Sequence, residues 1–269
     1  MSPETSIFLT SFTVAENTLL SWPQLDMAAK RYLQAKSRFK LNQKQVDHLN
    51  QYLSFLESKV YTIISFEIRK NDIQTLVSNN LYKAHIENKT SASFQEYYFR
   101  TLNNDSDFIS SNDFFRQFKK RYSLQGIDNG FLDKLEENKP EILKLIREKS
   151  LTTLYINHFS QALIKHGDSQ KQKDLGSFFA KLVHHFLPNE FCALDNPIKD
   201  YFKLKKESFF IAFITISTAY ERWATINHAT MNDIRKEFIK LDKCNIINHS
   251  IISNHKLLDL IFWSKANVK

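Results

Sequence analysis

The chain has 269 residues, enough to bury a sizeable core in one large domain or two smaller ones. It contains 23 Phe but only four Gly and five Pro, which excludes disorder over most of its length and leaves few places for tight β-hairpins. This composition predicts an all-α fold, a multi-helix bundle. A formal charge of +8 attracts polyanions, nucleic acid first among them.

The chain does not contain the sequence motifs of several common functional classes. Neither GxGxxG nor GxxxxGK[ST] occurs, so the usual glycine-rich nucleotide-binding loops are excluded. Cys192 and Cys244 have neither metal-knuckle spacing nor disulfide density, and we expect buried, reduced thiols at both positions. No metal site and no cofactor is predicted. Because no basic signal region and no run of about 18 apolar residues occurs, we expect a cytoplasmic protein with no membrane partner.

Periodic apolar residues and helix caps predict a series of helices in the N-terminal part. Pro23 opens a helix that runs to about Phe39. Asn42 caps the most regular one, in which apolar residues recur in steps of three and four from Val46 to Ile63. Further helices are predicted at about 72–87, 91–102 and 112–124, the last capped by Ser111 or Asn112.

Residues 125–130 read as a turn, because they contain two of the four glycines together with Asp128 and Asn129. This turn is the predicted boundary between an N-terminal helical region, 1–125, and a C-terminal helical region, 131–269.

Further helices are predicted in the C-terminal region. One starts at Lys139-Pro140, one spans 151–166 and one spans about 170–187. The apolar run 209–220 is rich in β-branched residues, but it is long and has no strand to pair with, so we predict a buried helix. We also expect an N-cap at Asn196, a capping box of Thr230 with Asp233, and a cap at Ser253 or Asn254.

The segment 181–202, KLVHHFLPNEFCALDNPIKDYF, places an amphipathic helix before Pro188 and Phe191, then a short apolar link, Asp195 and a new helix. In this order of features it resembles helix-hairpin-helix DNA glycosylases, over less than a tenth of the chain. The resemblance implies that Asp195 is the catalytic carboxylate, which stabilises positive charge on the sugar as a flipped base departs. The alternative is that Asp195 only caps the following helix.

The sequence departs from that family in two places. The family's glycine-rich hairpin turn corresponds to 171–181, where only Gly176 is present. Members with lyase activity carry a nucleophilic Lys nineteen positions before the Asp, and this chain has Gly176 there. The resemblance therefore implies base excision without a Schiff-base lyase step.

A second pair of residues offers a different enzymatic hypothesis. Arg222 and His228 are separated by five residues, a spacing similar to that of the Arg and His of HEPN ribonucleases. Six helical steps place two side chains well apart around the axis, so Asn227 and His228 would have to leave the helix for the pair to converge. A surface Arg and a loop His, in a non-enzymatic helical interaction protein, is the competing interpretation.

The remaining candidates are histidines and basic clusters. His184 and His185 are adjacent, so we expect one to face the core and the other the solvent rather than to share a metal. Two basic clusters with interleaved aromatic residues form the predicted nucleic-acid-binding surface, with DNA favoured over RNA, provided that they adjoin in space. They consist of Arg116, Lys119, Lys120 and Arg121, and of Lys199, Lys203, Lys205 and Lys206.

Overall fold

The structure is a computed structural model that describes residues 51, 54, 57–78, 90–124, 126–160, 162–166 and 169–267. Over these ranges the chain is mostly helical, which confirms the all-α multi-helix bundle. The predicted helix from Pro23 to Phe39 lies outside the described residues, as does most of the one that starts at Asn42.

Thirteen helices lie in the described ranges. They are α1 (57–64), α2 (Lys70–Thr75), α3 (Thr90–Thr101), α4 (Asp105–Ser110), α5 (Phe114–Arg121), α6 (Asn129–Glu137), α7 (Lys139–Arg147), α8 (Leu151–His158), α9 (Gly176–Phe186), α10 (Asn196–Tyr201), α11 (Phe209–Ile226), α12 (His228–Leu241) and α13 (Asn254–Asn267).

A β-hairpin between α8 and α9 was not expected. Strand β1 (Ala162–His166) pairs antiparallel with β2 (Ser169–Lys173), in a register that sets Ala162 opposite Lys173. The predicted helices 151–166 and 170–187 are therefore wrong at their facing ends. Gly167 and Asp168 stand between the strands, and a Gly-Asp pair joining two short segments is a hairpin signal that the low glycine content obscured.

Helix α11 runs through the core, as predicted for the apolar run 209–220. Every residue from Phe209 to Tyr220 is buried, and the helix packs against α9, α12 and α13. At its end, the indole N–H of Trp223 donates to the carbonyl of Phe66 at 3.0 Å. Its β-branched residues fit a helix here because packing on all sides outweighs their modest intrinsic preference for strands.

The core does not stop at the predicted boundary. Buried residues from both sides of 125–130 belong to one hydrophobic cluster. Phe118 of α5, for example, stacks on Phe178 of α9 with ring centroids 5.4 Å apart. The division into 1–125 and 131–269 stays a prediction about chain organisation.

Local predictions near helix ends had mixed outcomes. Ser253 does cap α13, accepting the N–H of Lys256 at 3.0 Å. The capping box of Thr230 with Asp233 is wrong, because α12 begins at His228 and both residues lie inside it. The cap of α5 is Asp113 rather than Ser111 or Asn112.

The cysteine prediction holds at one of the two positions. Cys192 is buried against α11, where its N–H donates to Ser217 Oγ at 3.0 Å. Cys244 is exposed, because it lies in the link after α12 rather than in a helix face. No helix in the described ranges combines the length and apolar character that crossing a bilayer requires.

Candidate functional site

Two recesses lie side by side on the surface of the bundle. The first, of about 340 Å³, is lined by Arg116, Lys119, Lys120, Ser123, Leu124, Asn129 and Leu132. The second, of about 440 Å³, is lined by residues that include Lys173, Ser177, Lys181, Asp195 and Lys199, and again by Ser123 and Leu124. Because the two linings share Ser123 and Leu124, the recesses are neighbours. We refer to the two recesses together as the groove.

Helix α5 supplies the basic side of the groove. It is amphipathic as predicted, with Phe115 and Phe118 buried and Arg116 and Lys120 exposed. Arg116 forms an ion pair with Asp133. Lys120 is left as the most exposed ammonium group of this recess.

The remaining basic residues of α5 are tied to the fold in different ways. The ammonium group of Lys119 donates to the carbonyl of Ile127. The guanidinium of Arg121 lies 5.7 Å from the ring centroid of Tyr97, a cation–π distance, and Arg121 is not in the lining of either recess. Of the four predicted residues of this cluster, three line the groove.

The turn after α5 brings the two recesses together. Ser123 adopts a φ of 51°, in the left-handed region, and the N–H of Leu124 donates back to the carbonyl of Lys119 at 2.9 Å. Gly126 follows with a φ of 70°. A Cβ on Gly126 would lie 3.1 Å from Nζ of Lys173, so the Lys173 side chain extends from the end of β2 to this turn and adds its ammonium group to the groove.

Asp195 lies at the start of α10, in the second recess. It is the N-cap, and its carboxylate accepts the N–H of Ile198 at 3.3 Å, so the capping role is confirmed at Asp195 and not at Asn196. Burial raises the pKa of the Asp195 carboxyl, and the ammonium group of Lys181 is the main influence that lowers it again. The capping geometry leaves the catalytic role of Asp195 a prediction.

Lys181 is one of the residues of the groove that the sequence did not single out. It lies on α9, where its ammonium group donates to Ser177 Oγ at 2.8 Å. Burial lowers the pKa of Lys181, while the carboxylates of Asp195 and Asp259 raise it. The second recess therefore presents a cation and a carboxylate to the same space.

Two buried charged residues of α13, Lys256 and Asp259, act electrostatically on the residues of this recess. Asp259 accepts the N–H of Ala193, two residues before Asp195, at 2.5 Å. Burial raises the pKa of Asp259 to about 7, against the opposing charge of Lys256. The sequence carried a signal for the pair: Lys256 and Asp259 are one turn apart in HKLLDLIF, where leucines surround them and predict burial.

His184 and His185 are both fully buried, so the expectation that one faces solvent is wrong. Nδ1–H of His184 donates to the carbonyl of Phe191 at 2.6 Å, and Nε2 then accepts the hydroxyl of Tyr98 at 2.8 Å. His185 contacts the hydroxyl of Tyr122 at 3.4 Å. The packing of α3 and α5 against α9 covers the face that the sequence assigned to solvent, and burial lowers the pKa of both imidazoles.

The second basic cluster contributes less to the groove than predicted. Lys199 is buried, and its ammonium group donates to the carbonyl of Glu207 at 2.5 Å, which ties down the link between α10 and α11. Lys205 is exposed and pairs with Asp200 at 3.7 Å. Lys203 and Lys206 are also exposed, but these two and Lys205 are not in the lining of either recess.

Arg222 and His228 occupy separate helices. Arg222 is part of α11, which ends at Ile226, and His228 is the exposed first residue of α12. Asn227 forms the joint with φ −104° and ψ 36°. The chain thus leaves the helix where the ribonuclease hypothesis requires it to, but neither residue is in the lining of the groove.

Gly176 opens α9 because no side chain fits there. A Cβ at this position would overlap Cβ of Phe209 and lie 2.5 Å from its Cγ. The close approach of α9 and α11 therefore excludes a lysine at position 176, which is a steric reason for its absence.

Among the described residues, no group of three or more His, Cys, Asp or Glu side chains is arranged to hold a metal ion. Comparison of the chain with protein-family models, with curated proteins and with solved structures gives no match.

Proposed function

We propose that the chain binds DNA through the groove and releases a base with the help of the Asp195 carboxylate. The observation that carries this proposal is the shared lining of Ser123 and Leu124. It sets the basic recess of α5 directly beside the recess of Asp195.

The charges of the groove suit a polyanion. Lys120 and Lys173 are exposed and line it on either side of the turn, and the chain as a whole carries +8. Contacts of Lys and Arg with phosphates supply most of the affinity of a DNA-binding protein and fix the register of the duplex. Without such cations nearby, the phosphates would repel a carboxylate such as Asp195.

The proposed chemistry follows from where Asp195 is held. Cleavage of a glycosidic bond builds positive charge on the sugar, and a fixed carboxylate beside it stabilises that charge. Capping α10 fixes the Asp195 side chain, and Lys181 favours its anionic form. The similarity of 181–202 to helix-hairpin-helix glycosylases supports the same assignment. Because position 176 cannot hold a lysine, we propose excision without strand cleavage.

The test is base release from duplexes that carry a broad panel of damaged or modified bases, followed by alkali to cleave the abasic product. Wild type is expected to release at least one base, and Asp195→Asn is expected to lose this activity, since a neutral amide cannot offset the developing charge. Asp200→Asn is the matched control, because Asp200 lies on the same helix but pairs with Lys205 outside the groove. Full activity of Asp195→Asn would refute the catalytic role.

The alternative is a ribonuclease that uses Arg222 and His228, and the joint at Asn227 between their helices is the observation in its favour. It predicts metal-independent cleavage of single-stranded RNA that both Arg222→Ala and His228→Ala abolish, with the helical circular-dichroism signal unchanged. Such a result would replace base excision as the proposed activity. DNA binding without release of any base would instead identify a binding protein.

A further inference from the structure

The link between α9 and α10 ends at Asp195 and has no regular secondary structure over residues 191–195. Its residues from Phe191 to Leu194 are nevertheless buried. Buried backbone groups without helix or strand partners need other hydrogen bonds, since leaving them unpaired costs free energy. The way in which this link is held therefore bears on where Asp195 lies.

Side chains of two helices hold the N–H groups of this link. The N–H of Cys192 donates to Ser217 Oγ of α11 at 3.0 Å, and the N–H of Ala193 donates to Oδ2 of Asp259 on α13 at 2.5 Å. Ser217 and Asp259 are both buried, and they lie 25 and 66 positions along the chain from the residues that they bind. The link is thereby fixed to the bundle and not only folded on itself.

A third side chain holds a carbonyl group of the link. Nδ1–H of His184 on α9 donates to the carbonyl of Phe191 at 2.6 Å. The ring of His184 is held in turn by Tyr98 of α3, whose hydroxyl donates to Nε2 at 2.8 Å. Three successive residues, 191–193, are therefore bound by side chains of three different helices. We refer to these side chains as the cradle, which consists of His184, Ser217 and Asp259.

Two other connections of the bundle are held by neighbours in sequence. In the link after α12, the carboxylate of Asp242 accepts the N–H groups of Ile246 and Ile247, each at 2.9 Å. In the link after α10, the ammonium group of Lys199 donates to the carbonyl of Glu207 at 2.5 Å. Such bonds shape a loop, whereas the bonds to α11 and α13 also fix residues 191–193 against distant helices.

Asp259 is a costly residue to keep buried. It is 4% exposed, and its Oδ1 has no hydrogen-bond partner among the described residues. A buried carboxylate with an unsatisfied oxygen is often less stabilising than an apolar side chain of similar size. An apolar side chain at this position would, however, leave the N–H of Ala193 unpaired. Asp259 therefore serves the link, and its helix α13 is also the one against which α10 packs.

We propose that the three side chains of the cradle are positioning residues for Asp195: by fixing the backbone at 191–193 to three helices, they set the place of this carboxylate in the second recess. The distance along the chain is short, because Asp195 follows Ala193 by two residues and is itself the N-cap of α10. The inference rests on the proposed function for its catalytic meaning. The placement of the carboxylate can be measured without any substrate.

The experiment is amide hydrogen exchange of the full chain, measured by NMR with Ile198 as the reporter. The N–H of Ile198 donates to the Asp195 carboxylate at 3.3 Å, and in the first turn of α10 it has no carbonyl of its own helix to bind. Its protection therefore reports whether the carboxylate stays in place. Ser217→Ala removes one oxygen of the cradle and is expected to speed exchange at Ile198 by about tenfold.

Thr215→Val is the matched control. It also removes a buried hydroxyl from α11, but one that donates to the carbonyl of Ile211 at 2.8 Å and not to the link. It shows how much a general loss of stability changes exchange at Ile198, and it is expected to leave the rate close to that of wild type. Equal acceleration in Ser217→Ala and Thr215→Val would overturn the inference.

A pair of substitutions at Asp259 tests the hydrogen bond to Ala193. Asp259→Leu removes the acceptor, so exchange at Ile198 should again be faster. Asp259→Asn keeps an oxygen that can accept the same N–H, and the rate should return towards that of wild type. Unchanged exchange at Ile198 in Ser217→Ala and in Asp259→Leu, or in Ser217→Ala alone if Asp259→Leu does not fold, would contradict the positioning role.

Base release separates this inference from the proposed function. If wild type releases a base, Ser217→Ala should lower kcat and leave KM nearly unchanged, because Ser217 is buried and does not line the groove. An unchanged kcat would overturn the inference while the proposed excision stands. If exchange at Ile198 is faster in Ser217→Ala but wild type releases no base, the positioning inference stands and the proposed excision fails.

Discussion

At the level of single residues, Asp195 caps α10, and we propose that the same carboxylate is catalytic. A carboxylate at a helix N-cap is fixed by the backbone N–H group that it accepts. The sequence could predict the cap, because Asp before Asn-Pro is a helix-start pattern. It could not predict that Lys181 lines the same recess, because that depends on where α9 and α10 lie in the folded chain.

The capping role of Asp195 can be tested by a stability measurement. Asp195→Ala is expected to lower the free energy of unfolding by about 0.5–2 kcal/mol, whereas Asp195→Asn, which remains a good N-cap, should cost much less. Urea denaturation followed by circular dichroism measures both. Equal losses in the two variants would show that the cap hydrogen bond contributes little.

The buried histidines predict how stability depends on pH. Burial lowers the pKa of His185 to about 3 and of His255 to about 4, and it also lowers the pKa of His184. As pH falls below about 6.5, the unfolded chain takes up protons that the native chain does not, so the free energy of unfolding falls. Asp259 acts in the opposite sense, because its native pKa of about 7 exceeds its ordinary value of 3.8 and favours the native state at lower pH.

His158 adds to the histidines and Asp195 to the carboxyl groups, so four histidines oppose two aspartates. We therefore expect stability to decrease between pH 6.5 and 5, by about 1.4 kcal/mol per pH unit for each net proton. Urea denaturation at several pH values measures the slope. His255→Gln should reduce it, and the exposed His228→Gln should not. Stability that increases steadily on acidification would contradict the burial of neutral histidines.

At the level of elements, helix existence was easier to predict than helix ends. Helix α11 followed from the length of its apolar run, and α7 from Lys139-Pro140. The hairpin of β1 and β2 was missed because its signal, Gly167-Asp168, also reads as a helix terminator. The burial of both His184 and His185 was missed because it depends on helices that cover α9 from two sides. The amphipathic pattern of one helix does not show which other helices pack against it.

The contact between α9 and α11 gives a sharp prediction. Gly176→Ala should destabilise the chain by about 1–3 kcal/mol, since the new methyl group would overlap the Phe209 side chain in a packed core. Gly130→Ala is the matched control. There the nearest side-chain atom is Asp128 Oδ1 at 3.2 Å, at an exposed helix position where a change within about 0.5 kcal/mol is expected.

Thermal or urea unfolding of the two glycine variants compares them directly. A Gly176→Ala protein as stable as Gly130→Ala would mean that the two helices can separate slightly at no cost, and the steric reason for the missing lysine would be lost.

At the level of the whole molecule, the charge of +8 was evident from composition, but its distribution was not. The sequence offered two basic clusters of equal standing. In the structure the α5 cluster lines the recess next to that of Asp195, whereas the ammonium group of Lys199 is hydrogen-bonded to the carbonyl of Glu207 in its own link. Which surface lysines converge is decided by turns such as Ser123-Leu124, whose left-handed geometry no charge pattern reveals.

The most direct test of the central claim is the salt dependence of duplex DNA binding, measured by filter binding for wild type, Lys119→Glu/Lys120→Glu and Lys236→Glu/Lys240→Glu. Both double variants change the net charge equally, but Lys236 and Lys240 lie on α12 outside the lining of the groove. The logarithm of affinity should fall with the logarithm of salt concentration, with a slope of about −0.9 per phosphate neutralised. We predict that the first double variant weakens binding and flattens this slope, while the second stays close to wild type. Equal losses in both variants, or no binding by wild type at low salt, would contradict the assignment of the groove as a DNA-binding site.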